Sequence, residues 1–318
     1  MPCFHPNTAW YLPQTRSISW EDRYGKEIPG VRNSIQLACG QCTGCRSEYS
    51  RQWAMRIVLE QSLWLNNIFI TLTYDNDNLP GHNTLIKKDF QDFMKRLRWN
   101  KQSTKENPVR FFHCGEYGDK FGRPHYHAIL FNTNFSDRKQ LQGHKGLTTS
   151  ETLSKLWGKG HSSIGDVTFQ SAAYVAGYVQ KKINGKQKDS HYAIIDPDTG
   201  EYHGQRQQEY STMSRNPGIA GNWLAQYKDD VYPSDNIHIN GKEMQPPKSF
   251  DRLYEIDHKD EMLTIKDKRM EESQIMEQIK EKRTKEMKLT QHLRTPEALA
   301  QAKRNHQARM SLYKRGKL

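Results

Sequence analysis

Hydrophobic and polar positions divide the first 183 residues into segments of clear period. "RSEYSRQWAMRIVLEQSLWL" (46–65) spaces its apolar residues as an amphipathic helix does. "NIFITLTYDNDNLP" follows, with β-branched and aromatic residues from Ile68 to Tyr74 closed by an Asp/Asn/Pro cluster, the pattern of a strand ending in a turn. In "KKDFQDFMKRLRW" (87–99), Phe90, Phe93, Met94 and Leu97 recur at helical spacing. "VRFFHCGEYG" and "RPHYHAILF" read as two strands of a hairpin joined through "DKFG". "SETLSKLW" (150–157) opens with a serine suited to cap a helix. "SSIGDVTF" (162–169) reads as a strand, and "SAAYVAGYVQKKI" (171–183) as a helix with Ser171 as its cap.

The order strand, helix, strand, strand, helix, strand, helix predicts an α+β fold, a mainly antiparallel sheet flanked by helices. From 184 to about 255 turn signals dominate ("NGK", "DPDTG", "SRNPGIAG", "MQPPK"), which predicts irregular structure wrapped on a core. From Lys259 onward the chain is charged and helix-forming with weak apolar periodicity, and the final thirty residues read as helical or partly disordered. No internal repeat is present. Four segments result: a Cys-rich stretch and helix (1–66), a core (67–184), an irregular extension (185–257) and a basic tail, helical or partly disordered (258–318).

Charge adds a partner class. The 318 residues carry a formal net charge of +12, and residues 258–318 hold 16 Lys/Arg against 9 Asp/Glu, so seven of those twelve charges sit there. A field of that sign attracts polyanions, nucleic acid first among them. No stretch approaches the ~20 consecutive apolar residues of a bilayer span. "MPCFHPNTAWYLPQ" lacks the charged and apolar regions of a signal peptide, so a cytoplasmic, reducing setting is expected. There, five cysteines act as thiols or metal ligands rather than disulfides.

The chemistry concentrates in three places. His125 and His127 flank Tyr126; on a strand both imidazoles face one way and Tyr126 the other. If the hairpin turns about residues 120–121, Glu116 lies opposite His125, and two imidazoles with one carboxylate suit Mg²⁺ or Mn²⁺. By the same pairing Cys114 opposes His127, most simply as a packed thiol. An HxH pair is common in a chain with 13 histidines; Glu116 at the compatible spacing is what turns the reading toward a metal.

Tyr174 and Tyr178 fall on one helix face, with Lys181 on the same side. Tyrosines so spaced often only pack, but a tyrosyl oxygen can also attack a phosphodiester polarised by a metal, with lysine stabilising the developing charge. Gly177 between them costs roughly 1 kcal/mol of helix propensity relative to alanine. Third, "CGQCTGC" sets Cys39, Cys42 and Cys45 in a CxxCxxC array, with Cys3 as a possible fourth ligand. Structural Zn²⁺ and unligated thiols both stand as readings, and nothing nearby suits an iron–sulfur cluster.

Taken together, "ACGQCTGCR", "RQWAMR", "FITLTYDNDNLP", "FHCGEYGDKFGRPHYHAILF", "WGKGHSSIGDVTFQSAAYVAGYVQKK" and "YSTMSRNPGIAGNW" resemble the rolling-circle replication initiators of the HUH endonuclease superfamily. The resemblance is to those of gokushovirus-type microviruses, small single-stranded DNA phages, and covers most of residues 1–255. It implies a five-stranded antiparallel sheet. It also implies a metal held by His125 and His127 and completed by Glu116, and nucleophiles at Tyr174 and Tyr178 followed by Lys181. "FITLTY" corresponds to a strand associated with structure and DNA contact.

Two positions depart from the family pattern: Tyr126 stands where a bulky aliphatic residue is usual, and Gly177 where a Lys or Arg often lies. The implied activity is a metal-dependent DNA nickase and strand transferase in the host bacterial cytoplasm. Its substrate would be single-stranded and supercoiled phage origin DNA, with host helicase and polymerase as partners. Lys181, Lys182, Lys186, Arg304, Arg309, Lys314 and Arg315 are candidates for holding single-stranded DNA. Two readings from other classes stand beside it: a metal nuclease in which water attacks, and a non-catalytic, zinc-stabilised DNA-binding protein.

Overall fold

A computed structural model of the chain describes residues 3–12, 17–20, 35–119, 121–144, 146–177, 182, 187–287 and 295–315. Contacts divide the chain into two compact units, Ser50–Met262 and a second that joins Met1–Tyr49 to Leu263–Leu318.

The unit built from both ends of the chain contains β1 (Asn7–Leu12), β2 (Ser17–Ser19) and β3 (Ile35–Leu37), an antiparallel sheet in the order β2-β1-β3. Helix α1 (Thr43–Gln61) starts three residues before the expected segment, inside the CxxCxxC array, and crosses the boundary at Tyr49.

The larger unit is built on β4 (Asn67–Tyr74), α2 (Lys87–Asn100), β5 (Arg110–Tyr117), β6 (Pro124–Phe131), β7 (Arg138–Gln140), β8 (Thr148–Ser150), α3 (Glu151–Trp157), β9 (Gly160–Gly165) and α4 (Phe169–Gly177). After these come α5 (Lys188–Tyr192), β10 (Ala193–Ile195), β11 (Tyr202–Gln205), β12 (Tyr210–Met213), α6 (Gly221–Val231), β13 (Ile237–Ile239), β14 (Lys242–Met244) and α7 (Lys248–Asp257). Two charged helices close the chain, α8 (Lys259–Met287) and α9 (Pro296–Arg315).

The α+β, antiparallel reading holds, but the main sheet has seven strands rather than five, in the order β12-β5-β6-β4-β9-β8-β7. One further expectation is corrected here. The segment after 184 is not wholly irregular: it supplies the edge strand β12, two hairpins and three helices. Among the described residues of the last thirty, Pro296–Arg315 is helical, one of the two states expected of the tail.

The sheet has two differently used faces. Ile68, Ile70, Leu72, Tyr74, Tyr126, Ala128 and Leu130 pack on Phe90, Phe93, Met94 and Leu97 of α2 and on Leu153 and Trp157 of α3. Tyr126 ends that face with its hydroxyl 2.9 Å from Ile86 N, 3.0 Å from Ile86 O and 2.8 Å from the Tyr74 hydroxyl. A phenol therefore serves in the core where an aliphatic residue is usual, because its one polar atom is fully used; burial raises its pKa to about 12. On the opposite face, Phe112, Cys114, Ile129 and Phe131 meet Ala54 and Ile57 of α1, Ala172 and Val175 of α4, and Ile219.

Local signals explain most boundaries. Ser150 accepts from Leu153 N at 3.1 Å, the expected cap of α3. At α4 the cap moves. Thr168 N donates to Ser171 Oγ (2.8 Å) and Ser171 N donates to Thr168 Oγ1 (3.0 Å), a reciprocal pair that makes Thr168 the cap and Ser171 its partner inside the helix. Strand β9 accordingly ends at Gly165, four residues before the expected limit. The segment "SRNPGIAG" is tied down by a buried ion pair. Arg110 Nε lies 2.6 Å from Glu60 Oε1 and donates through its other nitrogen to Pro217 O and Gly218 O, while Ala220 N donates to Glu60 Oε2.

Candidate functional site

The alternation that buries Ile129 and Phe131 of β6 against α1 and α4 carries His125 and His127 onto the same face, nearer the start of the strand. An apolar stripe thus turns polar at one end. β5 pairs with β6 in the expected register, Glu116 opposite His125 and Cys114 opposite His127. The carboxylate nevertheless reaches diagonally: Glu116 Oε1 lies 3.0 Å from His127 Nε2, both side chains being buried.

On the other side β4 presents Thr71 opposite His127 and Thr73 opposite His125. Their hydroxyls sit 3.0 and 2.9 Å from the respective Nδ1 atoms. Phe69, two residues before Thr71, lies parallel to the His127 ring at 5.9 Å. The sequence reading missed these threonines; the period-2 alternation of "FITLTY" beside "HYH" is the signal that finds them once the register is known.

Tyr174 stands over this group. Its ring centre is 5.7 Å from that of His127 and 6.4 Å from Phe69, edge-on to both, and the residue is 44% exposed. Helix α4 holds it there by burying Ala172, Val175 and Ala176, with Ser50 Oγ donating to Ala176 O at 3.2 Å. A Cβ on Gly177 would meet nothing within 4 Å, so open space adjoins that turn. Tyr178, Lys181 and Lys186 lie outside the described residues, and Lys182 is half-buried. One more imidazole shares the face: β9 pairs His161 with Thr73, in the row Glu116–His125–Thr73–His161, and His161 is exposed.

His127 Nε2 and Glu116 Oε1, 3.0 Å apart, lie at hydrogen-bond distance, and both are groups able to ligate a divalent cation. His125 is not gathered with them: among the described residues no set of three ligand atoms within 4.8 Å of one another forms here. The His125 Nε2 atom points elsewhere: a Cβ on Gly118 would lie 2.7 Å from it. Glycine at 118 thus gives that imidazole its room.

Among the described residues, the group of three or more potential ligands whose ligand atoms all lie within 4.8 Å of one another is Cys3, Cys39, Cys42 and Cys45. These four thiols can hold a metal ion. Cys3 and Cys42 sulfurs are 3.8 Å apart. Backbone N–H groups donate to three of the sulfurs: Cys39 N to Cys3, Gln41 and Cys42 N to Cys39, Phe4 and Cys45 N to Cys42, at 3.3–3.5 Å. Gly40, at φ +73°, makes the left-handed turn that wraps this backbone around its sulfurs. No described helix is long and apolar enough to cross a membrane.

Comparison with known proteins gives these sites a context. The family model of the replication-associated protein ORF2/G2P matches residues 67–183, from β4 to beyond α4, and so spans Glu116, both histidines and both tyrosines. A replication-associated protein, ORF2, of Spiroplasma virus 4 is 32% identical over 290 residues, covering 85% of this chain and 86% of its own. The chain belongs to the replication-associated protein family. Another member, VP4 of Bdellovibrio phage phiMH2K, is 30% identical over 81% of this chain and 78% of its own. ORF4 of Chlamydia phage 1 is 29% identical over 69% and 54%. This membership bears out the likeness to phage rolling-circle replication initiators. No solved structure matches the chain.

Proposed function

We propose that this replication-associated protein nicks and rejoins phage origin DNA through tyrosine. The observation that carries the reading is a half-exposed phenol, Tyr174, edge-on to a buried His127–Glu116 pair. His127 and Glu116 would hold Mg²⁺ or Mn²⁺, joined by His125 once its ring turns toward them, and the ion would supply Lewis-acid polarisation of the scissile phosphate. Thr71 and Thr73 fix the imidazole orientations from behind.

The phenolic oxygen of Tyr174 or Tyr178 attacks phosphorus as its proton leaves. A P–O(Tyr) bond forms, the P–O3′ bond breaks, and the departing oxygen takes up a proton to become a free 3′-OH. The protein stays joined to the 5′ phosphate, and host polymerase extends the 3′-OH while a host helicase opens the duplex. Tyrosine left free cuts the regenerated origin, and the displaced 3′-OH attacks the phosphotyrosine, closing the circle and restoring the phenol. Lys181 adds positive charge where the transition state is most anionic. His161, two strands across from His125 with Thr73 of β4 between them, meets the neighbouring DNA backbone, and the setting is the host bacterial cytoplasm.

The four thiols we assign to a structural Zn²⁺. A tetrahedral ion with Zn–S bonds of about 2.3 Å separates its sulfurs by about 3.8 Å, the Cys3–Cys42 spacing. N–H···S bonds of the kind found here favour the thiolate form.

The test is a covalent adduct. Incubated in Mn²⁺ with single-stranded oligonucleotides tiled across the phage genome, the protein should give a slower band on a denaturing gel. Tyr174→Phe with Tyr178→Phe should abolish both band and cutting. Cutting at the wild-type rate by that double variant would transfer the chemistry to water, and the absence of any cutting across all tiles would leave a DNA-binding protein alone.

A further inference from the structure

The four-cysteine knuckle does more than close on itself. Within the unit that joins both ends of the chain, three residues next to the ligands meet helix α9. The Phe4 ring, only 4% exposed, lies 5.6 Å from the ring of His306. The His306 Nε2 atom is 3.1 Å from Ser47 Oγ, and Lys303 Nζ is 3.2 Å from His5 Nε2. Phe4 and His5 directly follow Cys3, and Ser47 lies two residues beyond Cys45 in the first turns of α1.

Helix α9 is shaped for such a seat. Thr295, Ala298, Leu299, Ala302, Lys303 and His306 are half-buried while the intervening positions are exposed, a single stripe of helical period. The exposed side carries Arg304 and Arg309.

The segment from Cys3 to Pro6 has no strand or helix to order it. What holds it is sulfur: Phe4 N donates to Cys42 Sγ and Cys39 N to Cys3 Sγ. Four thiolates this close repel one another unless a cation sits among them, and unligated thiols have no strong reason to converge. The platform under His306 and Lys303 therefore depends on the ion. We infer that metal occupancy of the Cys3–Cys39–Cys42–Cys45 site docks the basic C-terminal helix α9, through Phe4, His5 and Ser47. The inference rests on the zinc reading above and adds a consequence to it: loss of the ion releases a cationic helix.

Full-length protein, analysed for zinc and by hydrogen exchange, tests it. One zinc per chain is expected. Removing it with a chelator under reducing conditions should speed exchange of the α9 amides ~10-fold or more, with the β4, β5 and β6 amides unchanged. Zinc added back should restore protection. Stoichiometric zinc whose removal leaves α9 exchange unaltered would overturn the docking and leave the zinc reading standing. A chain that binds no zinc would overturn both. Where chelation loosens the sheet as well, the Ser47→Ala, His306→Ala variant, with all four thiols intact, decides. It should keep its zinc and lose α9 protection, and full protection there would refute the docking.

Discussion

The Nδ1 atoms of His125 and His127 rest on threonine hydroxyls of the neighbouring strand, which hold each ring in its orientation. At His127 the other nitrogen, Nε2, faces Glu116 at 3.0 Å; a carboxylate only accepts, so Nε2 carries the proton there, and a cation bound at Nε2 would displace that proton while the threonine keeps the ring in line. Thr71→Val should therefore weaken the apparent Mn²⁺ affinity in the nicking assay ~10-fold, with little change in melting temperature, and Thr71→Ser should restore it. An unchanged Mn²⁺ titration would show that the hydroxyl only fills space. At this scale the histidines, Glu116 and Tyr174 were legible, because strand alternation and cross-strand register need only residue numbers. The diagonal reach of Glu116 to His127 was not, since register fixes Cβ positions and not the torsions beyond them. Nor was the room at Gly118, where a Cβ would stand 2.7 Å from His125 Nε2.

At the scale of the element, β5 carries a histidine with the opposite fate. His113 points to the α2 face, wholly buried, its ring stacked on Phe90 at 3.4 Å and its Nδ1 2.8 Å from Thr212 Oγ1 of β12. Burial, with the His127 charge as a lesser cause, holds its pKa well below 6.5. The unfolded chain therefore takes up a proton first as pH falls. The stabilisation is complete above about pH 6.5 and is lost below it, at up to about 1.4 kcal/mol per pH unit. Comparing urea midpoints at pH 7 and pH 5, His113→Gln should lose less stability across the interval than wild type; equal losses would mean that His113 protonates in the folded state. The same strand shows why elements after 184 escaped the sequence pattern. β12 is four residues long and its partner β5 lies about a hundred residues upstream, so its pairing leaves no local period to read. Helices α2 and α3, set by their own spacing and cap, needed no such distant partner. At α4 two polar residues three apart both looked like caps, and only the reciprocal bonds separate Thr168 from Ser171.

For the whole molecule, the distribution of charge was fully visible in the sequence, whereas the union of both chain ends in one unit was not, because it brings together thiols 36 to 42 residues apart and a helix some 300 residues from Phe4. Charge and union meet at α9. Single-stranded DNA releases about 0.7 counterion for each phosphate neutralised, so residues that touch the strand are counted by the salt dependence of binding rather than by affinity at one salt concentration. Arg304 and Arg309 lie on the exposed side of α9, and neither takes part in the contacts with Phe4, His5 or Ser47. Replacing both with glutamine should lower the slope of log K against log salt by about 1.4 while leaving zinc content and melting temperature as they are. If only background positive charge mattered, the affinity would fall slightly at low salt with the slope preserved, and the basic helix would then be a solvated face rather than a DNA contact. A reduced slope that persists after zinc removal would show that the arginines find DNA from a released helix as well as from a docked one. A reduction seen only in the zinc-loaded protein would mean that the knuckle sets where those charges stand.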